Sequence, residues 1–130
     1  MKTAGSVPKI SPALLRFFGR YSNGYLRRHF HTVRLLAEES PARVATGPIV
    51  VFSNHAAWWD PLILLFVART FFPEHAAYGP MAASALSRYG FFKRLGFFPV
   101  ETGTTRGAAE FLRTAEAVLP EPRHALFLTP

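Results

Sequence analysis

Apolar and polar positions change period several times along this chain, and each change marks an element. From Ser11 to Leu36 the stretch SPALLRFFGRYSNGYLRRHFHTVRLL places Leu14, Phe18, Tyr21, Tyr25 and Phe30 at roughly helical spacing, with Arg16, Arg20, Arg27 and Arg28 among them. Ser11 followed by Pro12 suits a helix start, because a serine side chain caps free N–H groups and proline already holds a helical φ. Ser22, Asn23 and Gly24 are poor helix formers, so one long helix and two short ones both fit the pattern. After the loop ESPARVATG, the run PIVVFS is short, β-branched and aromatic, and reads as a buried strand. Asp60 and Pro61 then predict a helix cap and a first-turn proline for LILLFVARTFF, which Pro73 ends.

The alternation continues downstream. AAYGPMA predicts a short strand, ASALSRYGFFKRL a helix despite Gly90, and GFFPVE another strand. TRGAAEFLRTAEAVL carries Ala, Leu, Phe and Val at helical spacing with Arg113 and Glu116 outside, and HALFLT follows as a last strand. Strand and helix alternating in this way imply an α/β domain with a mainly parallel sheet and flanking helices.

Composition narrows the picture. A chain of 130 residues has room for one compact domain, and 49% apolar with 18% charged residues excludes a disordered chain. There is no cysteine, which removes disulfides, thiolate metal sites and a cysteine nucleophile together. Of the formal charge of +7, residues 1–43 hold eight Lys or Arg against Glu38 and Glu39, a net of +6. The expected organisation is therefore a basic amphipathic arm over residues 1–43 and a domain over 44–130.

Aromatic rings interleaved with arginines suit a helix lying in a bilayer interface, while a helix packed on its own domain with arginines in water is the alternative. Arg69 interrupts the best apolar run, PLILLFVA, well short of the roughly eighteen residues a spanning helix needs. MKTAGSVPKISPALLRFF offers no unbroken apolar core of a signal peptide before Arg16. The expectation is peripheral association with the cytoplasmic face of a membrane.

The chemistry concentrates in SNHAAWWDP, where a histidine and an aspartate flank a strand-to-helix connection, the place where α/β sites form. A neutral imidazole at His55 can take a proton from a hydroxyl, and the Asp60 carboxylate can fix the ring's tautomer and stabilise the imidazolium. The alternative is a loop histidine beside an aspartate that only caps a helix.

Asn54, His55, Asp60 and Pro61, following an apolar strand and with an aromatic before the aspartate, resemble the first block of the glycerol-phosphate and lysophospholipid acyltransferases. GFFPVET, Gly96 to Thr102, is similar to that family's second block, and the resemblance runs from about Pro48 to the end of the chain. It implies a histidine acting as general base on the acceptor hydroxyl, an aspartate orienting it, and direct attack on an acyl thioester carried by coenzyme A or acyl carrier protein, with no cofactor and no metal. Asn54 would be positional, and Trp58 and Trp59 would line the acyl or membrane side of the site or pack between sheet and helix. Partners would be a membrane lipid surface and the acyl carrier, not nucleic acid.

Two departures follow. Where the family's second block ends in an arginine that helps to bind the acceptor's phosphate, this chain has Thr102. Arg106 and Gly107, four and five residues later at a predicted helix start, are the candidates for a substitute phosphate site, with a solvated first-turn arginine as the equal alternative. The family's third block opens with an apolar strand leading to Pro-Glu-Gly, whereas this chain ends at LFLTP, so the resemblance implies a domain cut before that block. HALFLT is then expected to be an unpaired apolar sheet edge.

Rival readings have less behind them. Nucleic-acid binding rests on the basic arm and the aromatics without any recognisable module. Ser53 lacks the G-x-S-x-G elbow of a serine hydrolase. His29, His31, His75 and His124 lack metal-ligand spacing. A catalytically inactive membrane-surface protein descended from the acyltransferases predicts the same fold and the same liposome binding as the enzyme.

Overall fold

The structure, a computed structural model, describes residues 5–34, 36, 46–54 and 60–129. Its elements run α1 (Pro12–His29), β1 (Ile49–Phe52), α2 (Asp60–Phe71), β2 (Ala76–Ala82), α3 (Ala83–Arg88), a 3-10 helix (Gly90–Leu95), β3 (Phe97–Val100), α4 (Thr105–Val118) and β4 (His124–Leu128). The four strands form one sheet in the order β1-β4-β2-β3, and every neighbouring pair is parallel. The fold is α/β, as the alternation predicts.

Strand order fixes where the helices lie. The connection from β1 to β2 and the one from β3 to β4 run across the sheet in opposite directions, so right-handed crossovers put α2 and α4 on opposite faces. Two clusters of buried side chains record this. On the α4 face, Tyr78, Phe98 and Leu126 pack with Ala115 and Val118; on the α2 face, Ala125 and Phe127 pack with Ala68. Burial pushes the Tyr78 hydroxyl above its ordinary titration range, so it stays neutral in the core. The α4 layer reaches β3 and β4 but leaves Val50 and Phe52 of β1 exposed.

The expectation of an unpaired last strand is corrected here. β4 lies inside the sheet, with Ile49–Phe52 paired to Ala125–Leu128 on one side and Ala76–Tyr78 paired to His124–Leu126 on the other. Among the described residues the sheet edges are β1 and β3.

Two helices differ from their predicted extents. α1 is one helix through Ser22, Asn23 and Gly24, because the buried Ser22 hydroxyl donates to the Phe18 carbonyl at 2.8 Å and so needs no break in the ladder. It starts as expected, with the Leu14 N–H donating to Ser11 Oγ, and stops at His29, where Arg27, Arg28 and His29 face the negative end of the helix dipole. The single helix predicted over ASALSRYGFFKRL is split at Tyr89, and the second half winds as the tighter 3-10 form up to Gly96. Gly96 has φ +105°, a left-handed cap, and a Cβ there would fall on the Ala77 carbonyl. α1 packs on α2 and against the 3-10 helix, which places all three on one side of the sheet.

Candidate functional site

Four segments converge at the carboxyl ends of the strands. β1 runs on for one more ladder bond, the Ser53 N–H donating to the Leu128 carbonyl at 2.9 Å, and delivers Asn54 to the surface just beyond. His55, Trp58 and Trp59 lie outside the described residues. Asp60 is the first residue of α2 with Pro61 behind it, so the carboxylate sits at the positive end of that helix. Thr102 follows β3 and Thr129 follows β4.

Asp60, Thr102 and Thr129 all line one cavity of about 580 Å³, within the range of roughly 300–1,000 Å³ usual for small-molecule sites. The rest of its wall is mostly apolar, from Leu64, Leu65 and Ala68 of α2, Met81 of β2 and Phe127 of β4, with Phe18 of α1 and Ala85 of α3 closing it. The cause lies in β2. Side chains alternate across a strand, and Ala77 packs on the α2 face, so Gly79 and Met81 point the same way. Two of these three are among the smallest residues, which leaves a gap between a central strand and the helix above it. A Cβ on Gly79 would press to 3.1 Å of the Phe127 carbonyl oxygen. The pattern of small residues at alternate positions in AAYGPMA is the signal by which the cavity could have been found from sequence.

The loops after β2 and β3 leave toward opposite faces of the sheet, to α3 and to α4, and open α/β sheets form their ligand crevices at such a divergence. Thr102 stands there. The outcome is an apolar pocket with a polar end, suited chemically to a ligand with a long hydrocarbon part and one oxygen-bearing group.

Arg106 and Gly107 lie elsewhere. Arg106 does not line the cavity; its Nε donates to Glu110 Oε1 at 3.1 Å, one turn along α4, with 80% of its side chain exposed. The Gly107 N–H donates to Thr104 Oγ1 at 3.0 Å and so serves the helix cap, not a ligand. The absence of a side chain at Gly107 has its own cause, since a Cβ there would fall on the Glu101 carbonyl.

Three of the scattered histidines hold backbone. Ring nitrogens of His29, His75 and His124 lie 2.9, 2.9 and 2.8 Å from the carbonyl oxygens of Tyr25, Gly47 and Val118, and each can donate a proton there. Among the described residues no group of three or more metal-ligating side chains could hold an ion, and no helix is long and apolar enough to cross a membrane.

No protein-family model matches the chain, and neither the curated proteins nor the solved structures contain a match to it.

Proposed function

We propose that this chain is an acyltransferase domain of the glycerol-phosphate and lysophospholipid type, moving a fatty acyl group from a thioester of coenzyme A or acyl carrier protein to an acceptor hydroxyl at a membrane surface. The observation that carries the reading is the position of Asp60. The motif's carboxylate stands at the polar end of an apolar cavity, where a thioester could lie with its hydrocarbon tail inside.

In this reading His55 takes the acceptor's hydroxyl proton as the oxygen attacks the thioester carbonyl. The tetrahedral adduct collapses with loss of the C–S bond, and the leaving thiolate recovers the proton from the imidazolium. Asp60 orients the ring and stabilises its charged form. No acyl-enzyme is formed, and the absence of cysteine is consistent with that. The α1 helix, with exposed Phe17 and Tyr21 beside Arg16 and Arg20, would hold the domain at the cytoplasmic face of the membrane.

The test is transfer from a labelled long-chain acyl thioester to lysophosphatidic acid on liposomes. The parent chain should form phosphatidic acid, and His55→Ala should lose about three or more orders of magnitude in rate with an unchanged unfolding midpoint. Asp60→Asn should lose most of the rate and keep the fold, because asparagine substitutes for aspartate at a helix start at little cost. A His55→Ala protein of parental rate would sink the assignment.

A second reading is favoured by one observation. Thr102 stands in the cavity wall where the family has its phosphate-binding arginine, and the Arg106 guanidinium is engaged with Glu110 away from the cavity. A chain without a phosphate contact would be a membrane-surface relative that does not turn over. Liposome binding with no transfer to any glycerol-phosphate acceptor is its signature.

A further inference from the structure

We propose that the 3-10 helix Gly90–Leu95 is a second membrane-docking element, forming with α1 one continuous surface for an anionic lipid bilayer. This extends the docking part of the proposed function, which assigned that role to α1 alone.

The two elements share an aromatic seam. Phe18 of α1 has ring centroids 5.9 Å from Phe91 and 6.0 Å from Phe92. In and around this seam the chain presents Phe17 and Tyr21 from α1, 68% and 57% exposed, and Phe91 of the 3-10 helix with Tyr89 just before it, 42% and 47% exposed. Four large rings left in water on adjoining elements form an apolar patch of a kind that monomeric domains keep small unless something covers it.

Charge identifies the cover. Helical periodicity sets Arg16, Arg20 and Arg27 in a stripe beside Phe17 and Tyr21, and all three are exposed. In and next to the 3-10 helix Arg88, Lys93 and Arg94 are exposed as well, with the Arg88 guanidinium 5.6 Å from the centre of the Tyr89 ring. No aspartate or glutamate occurs in residues 11–36 or 75–100, so neither contributing segment contains an acidic neighbour to neutralise them. Exposed rings interleaved on both segments with guanidinium and ammonium groups match a bilayer interface, with aromatics at the headgroup boundary and cations on lipid phosphates.

A nucleic acid fits the same charge less well. Phe91 and Phe92 are stacked on each other, centroids 4.4 Å apart and planes at 26°, so one face of Phe91 is already covered. A platform for single strands presents open ring faces to successive bases.

The experiment is co-sedimentation of the full chain with vesicles of phosphatidylcholine, with and without phosphatidylglycerol, beside a fluorescent single-stranded oligonucleotide. The parent should bind the anionic vesicles and bind neutral ones much more weakly. Lys93→Glu with Arg94→Glu should weaken anionic binding at least about ten-fold, since each basic group near such a surface contributes appreciably. Tyr89→Ser with Phe91→Ser should weaken binding to a similar degree, and Phe17→Ser with Tyr21→Ser serves as the α1 comparison. All positions are exposed, and unfolding midpoints check each variant; if the aromatic pair unfolds, the charge pair decides. Parental vesicle binding by the 3-10 helix variants while the α1 pair loses it would overturn the proposal, as would oligonucleotide binding without vesicle binding. His55→Ala should bind vesicles like the parent, so loss of the catalytic reading would leave this one standing.

Discussion

Gly107 separates a structural from a chemical explanation at the scale of one residue. Its place at a helix start invites an anion-binding role, yet its N–H already donates to Thr104 and its missing side chain makes room for the Glu101 carbonyl. Gly107→Ala should therefore destabilise the domain by roughly 2–4 kcal/mol, because the clash is with backbone on a tight turn and nothing flexible can yield. Urea unfolding would show this as a lower midpoint at unchanged slope. An alanine variant of parental stability and poorer acceptor binding would restore the phosphate reading. Gly96 belongs to the same class, since its left-handed φ and the nearby Ala77 carbonyl both exclude a side chain. A glycine of this kind is legible in sequence as a residue that matters, whereas the reason that it matters comes from a carbonyl that folding brings against it, Glu101 for Gly107 and the more distant Ala77 for Gly96, which no local pattern encodes.

Between elements, what could be read from sequence divides by the range of the forces involved. The start of α1 was legible because Ser11 acts on an N–H group three residues ahead, and Leu14 does donate to it, whereas α4 was read from periodicity and its cap, Thr104 accepting from Gly107, came from the structure. The split of the predicted helix at Tyr89 was not, because Tyr89 leaves helical backbone at φ −124° and ψ 65° although no proline or glycine stands at that position. In α1 the expected weakness at Ser22–Gly24 was real as propensity and was outweighed by burial of Ser22 and Leu26 under the helix. Gly24 still lowers the helix's intrinsic stability, and a Cβ there meets nothing within 4 Å. Gly24→Ala should stabilise the domain by about 0.5–1 kcal/mol, the conformational gain of alanine over glycine in a helix interior. A raised thermal midpoint checks it. No change, or a fall, would mean that α1 does not hold its helical form in solution.

For the whole molecule, the alternation of strands and helices announced an α/β sheet, but insertion of β4 between β1 and β2 was invisible, because parallel pairing is decided by which crossovers pack and not by adjacency along the chain. That insertion builds the candidate site. It sets Thr129 beside the exit of β1 and puts Phe127 under α2, so the small residues of β2 face a cavity walled on the β4 side instead of an open groove. His55 was read from its motif alone and lies outside the described residues, while Asp60 of the same motif lines this cavity.

If the cavity holds an acyl tail, its volume limits the chain that fits, and Ala85 of α3, half-buried in the wall, is a small residue outside both the motif and the sheet at which bulk can be added. Ala85→Phe would remove room for about two or three methylenes, each worth about 0.8 kcal/mol of burial, so the preference for long over short acyl thioesters should drop by roughly ten- to fifty-fold. The readout is the ratio of kcat/KM for a long and a short donor at a fixed acceptor concentration. It cancels any uniform loss of folded enzyme, and an unchanged ratio would place the tail outside this cavity while leaving His55 and Asp60 in their proposed roles.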